Sequence, residues 1–586
     1  MLAAASPSSP AVLPWYLQAW RPRLLLILLG LALLLPGTAV LPLMDRDEPR
    51  FAQATWEMME RGEWFVPTFN FSYEDDGRTL TKKSYRFDKP VLSYWWMRIH
   101  DSILGKTELA TRLHSVFAAI LSALVILEIG KWLYSLQAGF WAAVGWLSCF
   151  QVLIHGRLCV ADMPMLFGVT VAFWGMLRLL EAPEEPARWG KWFWVFAGGL
   201  AFGFLAKGPI ALAVPLLSFL LARFAFYRGP IPWRRLQPLS LTAVVLVMVG
   251  LWGIPALIKT QGEFWDEGMG EHVVHRGMES FNGRVRIPVV YYLFFVNLSL
   301  LPWSAFWPAA WPKSKGRWKW ERREALLLGW LLGPLLIFSL YATQLPHYIM
   351  PGFPAFFLLL FRAGPGPLSN AGKWFWFVVG SVAIPALAVA IGASQIKIAP
   401  DAVAIRTIMV LGALLFVCLA VWAILIRYRL WRWALGGVVA GGILTASLCE
   451  VIRSVHPAPQ ILAAFDDIGM RPKELRAWGY EEPNLVFYVT HPVEFRGKPK
   501  EIVSSIQWAG KKRGRAVIFL LREWRLQDQI ESIGAGRGFA TAPSQDHREA
   551  IGAALDGEGF STRKLKGFNV ARASWVEMVV CVPKDR

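Results

Sequence analysis

Between residues 23 and 450 this 586-residue chain returns repeatedly to apolar runs long enough to cross a bilayer. A spanning helix needs about 20 mostly apolar residues. That ruler predicts spans near 23–43, 109–134, 138–154, 160–180, 190–206, 208–226, 239–259, 288–311, 325–340, 347–361, 373–393, 403–426 and 433–450, about thirteen in all. Inside hydrocarbon every backbone polar group needs an internal partner, so such runs are expected as helices. Composition agrees, with 55% hydrophobic residues, 18% charged residues and a mean hydropathy of +0.39. Soluble chains carry about 25% charge. A disordered chain, a collagen-like chain and a disulfide scaffold are excluded. Cys149, Cys159, Cys418, Cys449 and Cys581 show no CxxC spacing and fall mostly in or beside apolar runs.

Charge distribution gives the sidedness. The formal net charge of +19 would suit nucleic acid, but the basic residues lie in short clusters between apolar runs, so no nucleic-acid partner is expected. Arg228/Arg234/Arg235, the group from Lys313 to Arg323, and Arg427/Arg429/Arg432 fall on one side of the predicted spans. Cytoplasmic loops are enriched in Lys and Arg. Residues 1–22 are then cytoplasmic, with the first span an uncleaved anchor, and residues 23–455 form the membrane domain. Loops 45–108, 155–159, 260–287, 341–346 and 394–402 face outside.

The tail, 456–586, changes character. Strand-like runs at 485–490, 516–521 and 575–582 alternate with helix-like stretches at 499–511, 522–533 and 546–556. Alternation of this kind predicts a small α/β domain, here on the outer side. The expected fold is therefore an all-α polytopic membrane protein with a C-terminal extracytoplasmic α/β domain.

Candidate chemistry collects at the predicted outer boundary. Asp47 and Glu48 follow the first span and open a stretch with the pattern of an amphipathic surface helix. Solvated acids at a membrane boundary are the plain alternative. Loop 45–108 is long, and long loops in compact proteins are usually functional. Asp88 and Lys89 precede Pro90 and a second aromatic amphipathic run, which also suits an interfacial belt. Asp162 precedes Met163-Pro164 at the start of a span, where it is either an N-cap or a functional acid. Lys207 is the one charge in a long apolar stretch, either snorkelling or functional. Loop 260–287 carries His272, His275 and Arg276, and 344–351 carries Tyr348. Carboxylates, Lys, Arg, His and Tyr at one boundary suit a lipid-linked phosphate. Cations bind the phosphate, carboxylates do acid–base or metal work, and apolar helices hold the lipid tail.

These residues resemble a known pattern, that of the GT-C glycosyltransferases that use polyprenyl-phosphate sugars. The similarity is to the lipid A aminoarabinose transferase branch, distantly related to protein O-mannosyltransferases. Asp-Glu-x-Arg-Tyr/Phe-Ala is matched by Asp47-Glu48-Pro49-Arg50-Phe51-Ala52. Lys-Pro-Pro-Leu-x-x-Trp is matched from Lys89 to Trp95, with Val91 at the second Pro. Asp162-Met163-Pro164, Gly203-Phe204-Leu205-Ala206-Lys207-Gly208, Leu301-Pro302-Trp303-Ser304 and the Leu-Pro-x-Tyr-Ile-x-Pro element at 345–351 follow in the family's order. The match covers roughly 20–360. Asp88 stands where the aminoarabinose transferases have Glu, 72–86 looks like an insertion, and either His272 or His275 matches the family's histidine.

The resemblance implies transfer of one sugar from a polyprenyl-phosphate-linked donor to an acceptor outside the membrane, with inversion at the anomeric carbon. The acceptor would be an envelope glycolipid resembling lipid A, a glycan or a protein. It implies a plasma (inner) membrane enzyme with a periplasmic active site. Asp47, Glu48 and Asp162 are the implied catalytic acids, with Asp47 the base for a hydroxyl acceptor. Lys89, Lys207, Arg276 and Tyr348 would neutralise the departing phosphate. Asp88 and His272 would hold a divalent metal, zinc or manganese. A secondary transporter and a lipid-linked oligosaccharide ligase are the competing readings. Transporters often show inverted repeats and place charges near the midplane. Here no repeat is visible and the charges lie at the boundary.

Overall fold

The computed structural model describes residues 14–44, 47–73, 80–81, 84–275, 290–312, 320–363, 402–427, 431–525, 527–528, 531–532, 543–555, 559–569 and 572–584. Among them, five helices are long and apolar enough to cross a membrane, and further apolar helices are shorter. The expected 373–393 span lies outside the described residues.

The helical body begins with α1 (Arg21–Leu34), α2 (Asp47–Glu60), α3 (Leu92–Leu104), α4 (Glu108–Leu133) and α5 (Leu136–Ser148). It continues with α6 (Phe150–His155), α7 (Asp162–Leu180), α8 (Lys191–Lys207), α9 (Ile210–Leu221) and α10 (Pro238–Lys259). Several expected spans are broken. The first was read as 23–43, but α1 stops at Leu34, ahead of Pro36 and a left-handed Gly37 (φ +84°). The 138–154 run divides at Cys149, which is extended between α5 and α6. The 288–311 run holds a helix at Val290–Ser299 and then short turns, because Pro302 cannot continue it. Hydropathy is blind to such breaks.

Two apolar cores hold these elements together. The larger packs the membrane helices, with Phe173 stacked on Trp330 at 3.9 Å. A second lies between the first loop and the tail, gathering Phe51, Met58, Phe87, Tyr94, Trp252 and Phe487.

The tail holds a mixed sheet. Its strands are β1 (Glu474–Trp478), β2 (Val493–Arg496), β3 (Arg515–Arg525), β4 (Gln545–Asp546), β5 (Phe560–Asn569) and β6 (Ser574–Pro583), in the order β2-β1-β3-β6-β5, with β4 on β3. β1 pairs parallel with β2 and β3, whereas β6 pairs antiparallel with β3 and β5. Two expectations are corrected here. Residues 485–490, read as a strand, include the helix Asn484–Tyr488, which follows Pro483. Residues 522–525, read as helix, extend β3, because Arg522, Glu523, Trp524 and Arg525 pair with β6.

The sheet domain is docked on the first loop. Asn70 and Val493 exchange two hydrogen bonds, Nδ2 to the Val493 carbonyl at 2.8 Å and the Val493 amide to Oδ1 at 2.7 Å. The Tyr488 hydroxyl accepts from the Leu43 amide at 2.8 Å and donates to Glu108 Oε1 at 2.9 Å.

Candidate active site

Helices α7 and α8 run antiparallel, and small residues bring their backbones together. A Cβ on Gly168 would lie 2.5 Å from the Gly203 nitrogen, and one on Gly199 would lie 2.4 Å from the Ala172 nitrogen. Close backbone approach through small residues is the usual seam between membrane helices. The hairpin sets the first residue of α7, Asp162, against the last residue of α8, Lys207. Each charge suits its helix end, an acid at the N-terminus and a base at the C-terminus. Lys207 Nζ lies 2.5 Å from Asp162 Oδ1. Gly208 ends α8 with φ +88°, a left-handed conformation that favours glycine.

Around this pair is a cavity of about 300 Å³. Its polar lining comes from Lys89, Asp162, Lys207, Tyr341, His347 and Tyr348, and Ile210, Ala213, Ile337 and Phe338 contribute an apolar wall. The Lys207 ammonium is 5.2 Å from the centre of the Tyr348 ring. His347 Nε2 is 3.6 Å from Asp162 Oδ1, and the His347 ring lies 4.5 Å, centre to centre, from that of His155. Behind it, the Gln151 amide and His155 Nδ1 are 3.0 Å apart, and Ser299 Oγ donates to Gln151 Oε1 at 3.0 Å.

The first loop supplies the next layer. Arg86 Nη2 pairs with Asp88 Oδ2 at 2.9 Å, and Arg86 Nε donates to the Tyr94 hydroxyl at 3.0 Å. Burial opposes the Arg86 charge, but the fields of Tyr94, Asp88 and Asp47 outweigh it and hold its pKa above the ordinary value. Burial pushes the Tyr94 phenol up to about 12, against the pull of Arg86. Lys89 Nζ donates to the Asp88 carbonyl at 2.8 Å. Asp47 opens α2 and is exposed, while its neighbour Glu48 is buried. Both Glu48 oxygens accept from Arg112, and they also accept the amides of Cys159 and Met44, each at 2.6 Å.

The structure thus gathers Lys89, Asp162, Lys207 and Tyr348 round one cavity. Asp47, Glu48 and Asp88 do not line it, and the Glu48 and Asp88 carboxylates are engaged with Arg112 and Arg86. Arg276 lies outside the described residues, as does the side chain of His272, whose backbone is in the helix Asp266–His275. Among the described residues no three His, Cys, Asp or Glu side chains converge as metal ligands. What is described therefore does not make up a metal site. His347, His155, Arg112 and Arg86 are new to the site. Arg112 had a sequence signal, as a cation near the start of a long apolar run; His347 occupied a position that the 345–351 motif leaves open.

The far end of α7 is different. Glu181 pairs there with Arg322 and with Arg323, and Arg235 donates to the Ala182 carbonyl at 2.7 Å. Nineteen helical residues separate this basic end from Asp162, a rise of roughly 28 Å. The cavity and the described basic residues Arg235, Arg322 and Arg323 lie at opposite ends of α7.

This architecture has a counterpart in solved structures. It superposes on the crystal structure of ArnT from Cupriavidus metallidurans bound to undecaprenyl phosphate with a TM-score of 0.66, over 96% of this chain and 98% of that one, at 18% identity. That likeness gives the fold, of the GT-C type. The sequence profile of the dolichyl-phosphate-mannose-protein mannosyltransferases matches residues 88–252. The undecaprenyl phosphate-alpha-4-amino-4-deoxy-L-arabinose arabinosyl transferase of Enterobacter sp. (strain 638) is 30% identical over 463 residues, 74% of this chain and 78% of the relative. This chain belongs to that family. The enzyme of the same name from Yersinia enterocolitica is also 30% identical, over 58% of each chain. The protein is thus a multi-pass membrane glycosyltransferase, in a family that draws its sugar from a polyprenyl-phosphate-linked donor. The family's Asp-Met-Pro and Gly-Phe-Leu-x-Lys-Gly elements are, in this fold, the two halves of the Asp162–Lys207 contact.

Proposed function

We propose that this protein moves a single sugar, an aminoarabinose like that named for its relatives, from undecaprenyl phosphate to an extracytoplasmic envelope glycolipid resembling lipid A. The inner membrane is its expected place, with the cavity open to the periplasmic side. The single observation that carries this is the Asp162–Lys207 pair in a half-apolar cavity with Lys89 and Tyr348. Its opposition to the basic end of α7 supports the sidedness.

The acceptor oxygen attacks the anomeric carbon as the bond to the phosphate oxygen breaks, which inverts that carbon. The departing group is a phosphate monoester, so the protein's main task is to offset its growing charge. Lys207, Lys89 and Tyr348 face the space it occupies, and Arg276 is a further cation for it. Asp162 holds Lys207 in place until the phosphate arrives. Asp47 takes the proton of a hydroxyl acceptor, whereas an acceptor phosphate needs only positioning. Glu48 anchors the Asp47 segment through Arg112 and takes no part in proton transfer. A divalent ion, zinc or manganese, would need the His272 side chain and the Asp88 carboxylate, which Arg86 already engages. No step of the reaction is assigned to it. The test is transfer by purified protein from a synthetic polyprenyl-phosphate aminoarabinose to lipid A, followed by mass spectrometry. A mass increase of one aminoarabinose that vanishes in Lys207→Ala supports the reading; lipid A left unmodified by active protein sinks this choice of sugar and acceptor.

A further inference from the structure

His347 lines the same cavity as Lys207, and the two share one carboxylate. Asp162 Oδ1 is 2.5 Å from the lysine ammonium and 3.6 Å from His347 Nε2. The lysine contact is closed, whereas the histidine stands just beyond hydrogen-bond range. The groups facing His347 are Asp162 from α7, Lys207 from α8, His155 from α6, and Lys89, Tyr341 and Tyr348 around the cavity. In the absence of lipid, Asp162 and Lys207 balance each other. A neutral imidazole at 347 leaves that pair balanced, while an imidazolium would add a positive charge to a cavity that already holds two lysines.

A lipid phosphate changes that balance. It brings one or two negative charges and draws the ammonium toward itself, lengthening the Lys207–Asp162 contact. A buried carboxylate that loses its cation is strongly destabilised. The nearest group able to gain a positive charge is the His347 ring. We propose that His347 is the stand-in cation for Asp162, so that binding of a polyprenyl phosphate is coupled to uptake of one proton at His347 Nε2. The proton comes from solvent, and it returns there when the lipid phosphate leaves and Lys207 closes on Asp162 again. His347 is a positioning residue in this account: it acts on the phosphate through Asp162 and Lys207. His155 supports the ring through a tilted ring contact, and its own Nδ1 is taken up by Gln151. The inference rests on the reading that this cavity takes the lipid phosphate.

The test is the pH dependence of undecaprenyl phosphate affinity, measured in detergent between pH 7 and 9 for the wild type, His347→Gln and Lys207→Ala. Ionisation of the lipid phosphate is common to all three and cancels in their ratios. Linkage of one proton gives a wild-type affinity that falls, relative to His347→Gln, by up to ~10-fold per pH unit. Parallel curves for wild type and His347→Gln, with Lys207→Ala weaker than both, overturn the inference and leave the cavity assignment standing. Affinity unchanged in Lys207→Ala overturns that assignment itself, and the inference with it. If His347→Gln does not fold, calorimetry of the wild type at pH 8 in two buffers of different ionisation enthalpy decides. Proton uptake on binding supports the coupling, and none overturns it.

Discussion

Glu48 and Arg112 meet through two parallel hydrogen bonds of 2.9 Å, and both residues are almost fully buried. Arg112 also donates to the carbonyls of Thr38, Leu41 and Pro42. Glu48 accepts the Met44 and Cys159 amides. The pair therefore ties the segment entering Asp47 to the turn entering Asp162. Both acids are held by one buried bond set.

Removing one partner leaves the other charge buried and alone, at a cost of about 3–5 kcal/mol. Arg112→Met should accordingly lower the melting temperature strongly and abolish transfer. Glu48→Gln with Arg112→Met should recover part of the lost stability. Thermal unfolding of the purified variants measures both, and equal losses in the single and double variants would refute the pairing.

The tail reaches into the same segment through Tyr488, whose hydroxyl lies between the Leu43 amide and Glu108. Burial holds the Tyr488 pKa far above its ordinary value, so the hydroxyl keeps its proton and donates. Tyr488→Phe keeps the ring and removes both bonds, which should cost about 1–3 kcal/mol. Steady-state assays should show kcat falling with little change in KM for the lipid donor, since the cavity cations are untouched.

Asp101 on α3 predicts a pH effect. It is buried, and neither carboxylate oxygen has a hydrogen-bond partner. Burial raises its pKa from 3.8 to about 8, with Lys106 opposing. An acid whose folded pKa is raised binds its proton more tightly in the native state, so the stability it permits at low pH is lost as pH rises from about 4 to about 8. Asp101→Asn should remove that dependence. Its melting temperature relative to wild type should rise between pH 6 and pH 8.5, and thermal scans across that range check it.

Much of this was readable in the chain, and the rest was not, for physical reasons. Lys207 stood out as a lone cation in an apolar run, and Asp162 as an acid at a helix start. Their contact at 2.5 Å depends on the glycine seam between α7 and α8, which pattern alone does not reveal. Glu48 carried the same sequence signal as Asp47, yet one is buried against Arg112 and the other exposed. Residues 485–490 had the composition of a strand, but Asn484–Tyr488 is helical and sets Phe487 into the core beneath the first loop. Tertiary burial overrode local propensity there.

Asp47 is the proposed base, so Asp47→Asn should cut turnover by ~10²–10⁴-fold. Affinity for undecaprenyl phosphate should stay near wild type. Transfer and binding assays on the same preparation separate the two effects, and near-normal turnover removes Asp47 from the chemistry.

Lys207 is the central cation of the proposed phosphate site. One charge-assisted contact to a phosphate is worth ~1.5–3 kcal/mol, or roughly 10- to 150-fold in affinity. The most direct measurement is the affinity of purified Lys207→Ala for undecaprenyl phosphate at pH 7.5, beside wild type and Lys207→Arg. Loss of that size in the alanine variant, with partial recovery by arginine, is the predicted result. Unchanged affinity in folded Lys207→Ala would mean that the lysine merely snorkels and that the phosphate binds elsewhere.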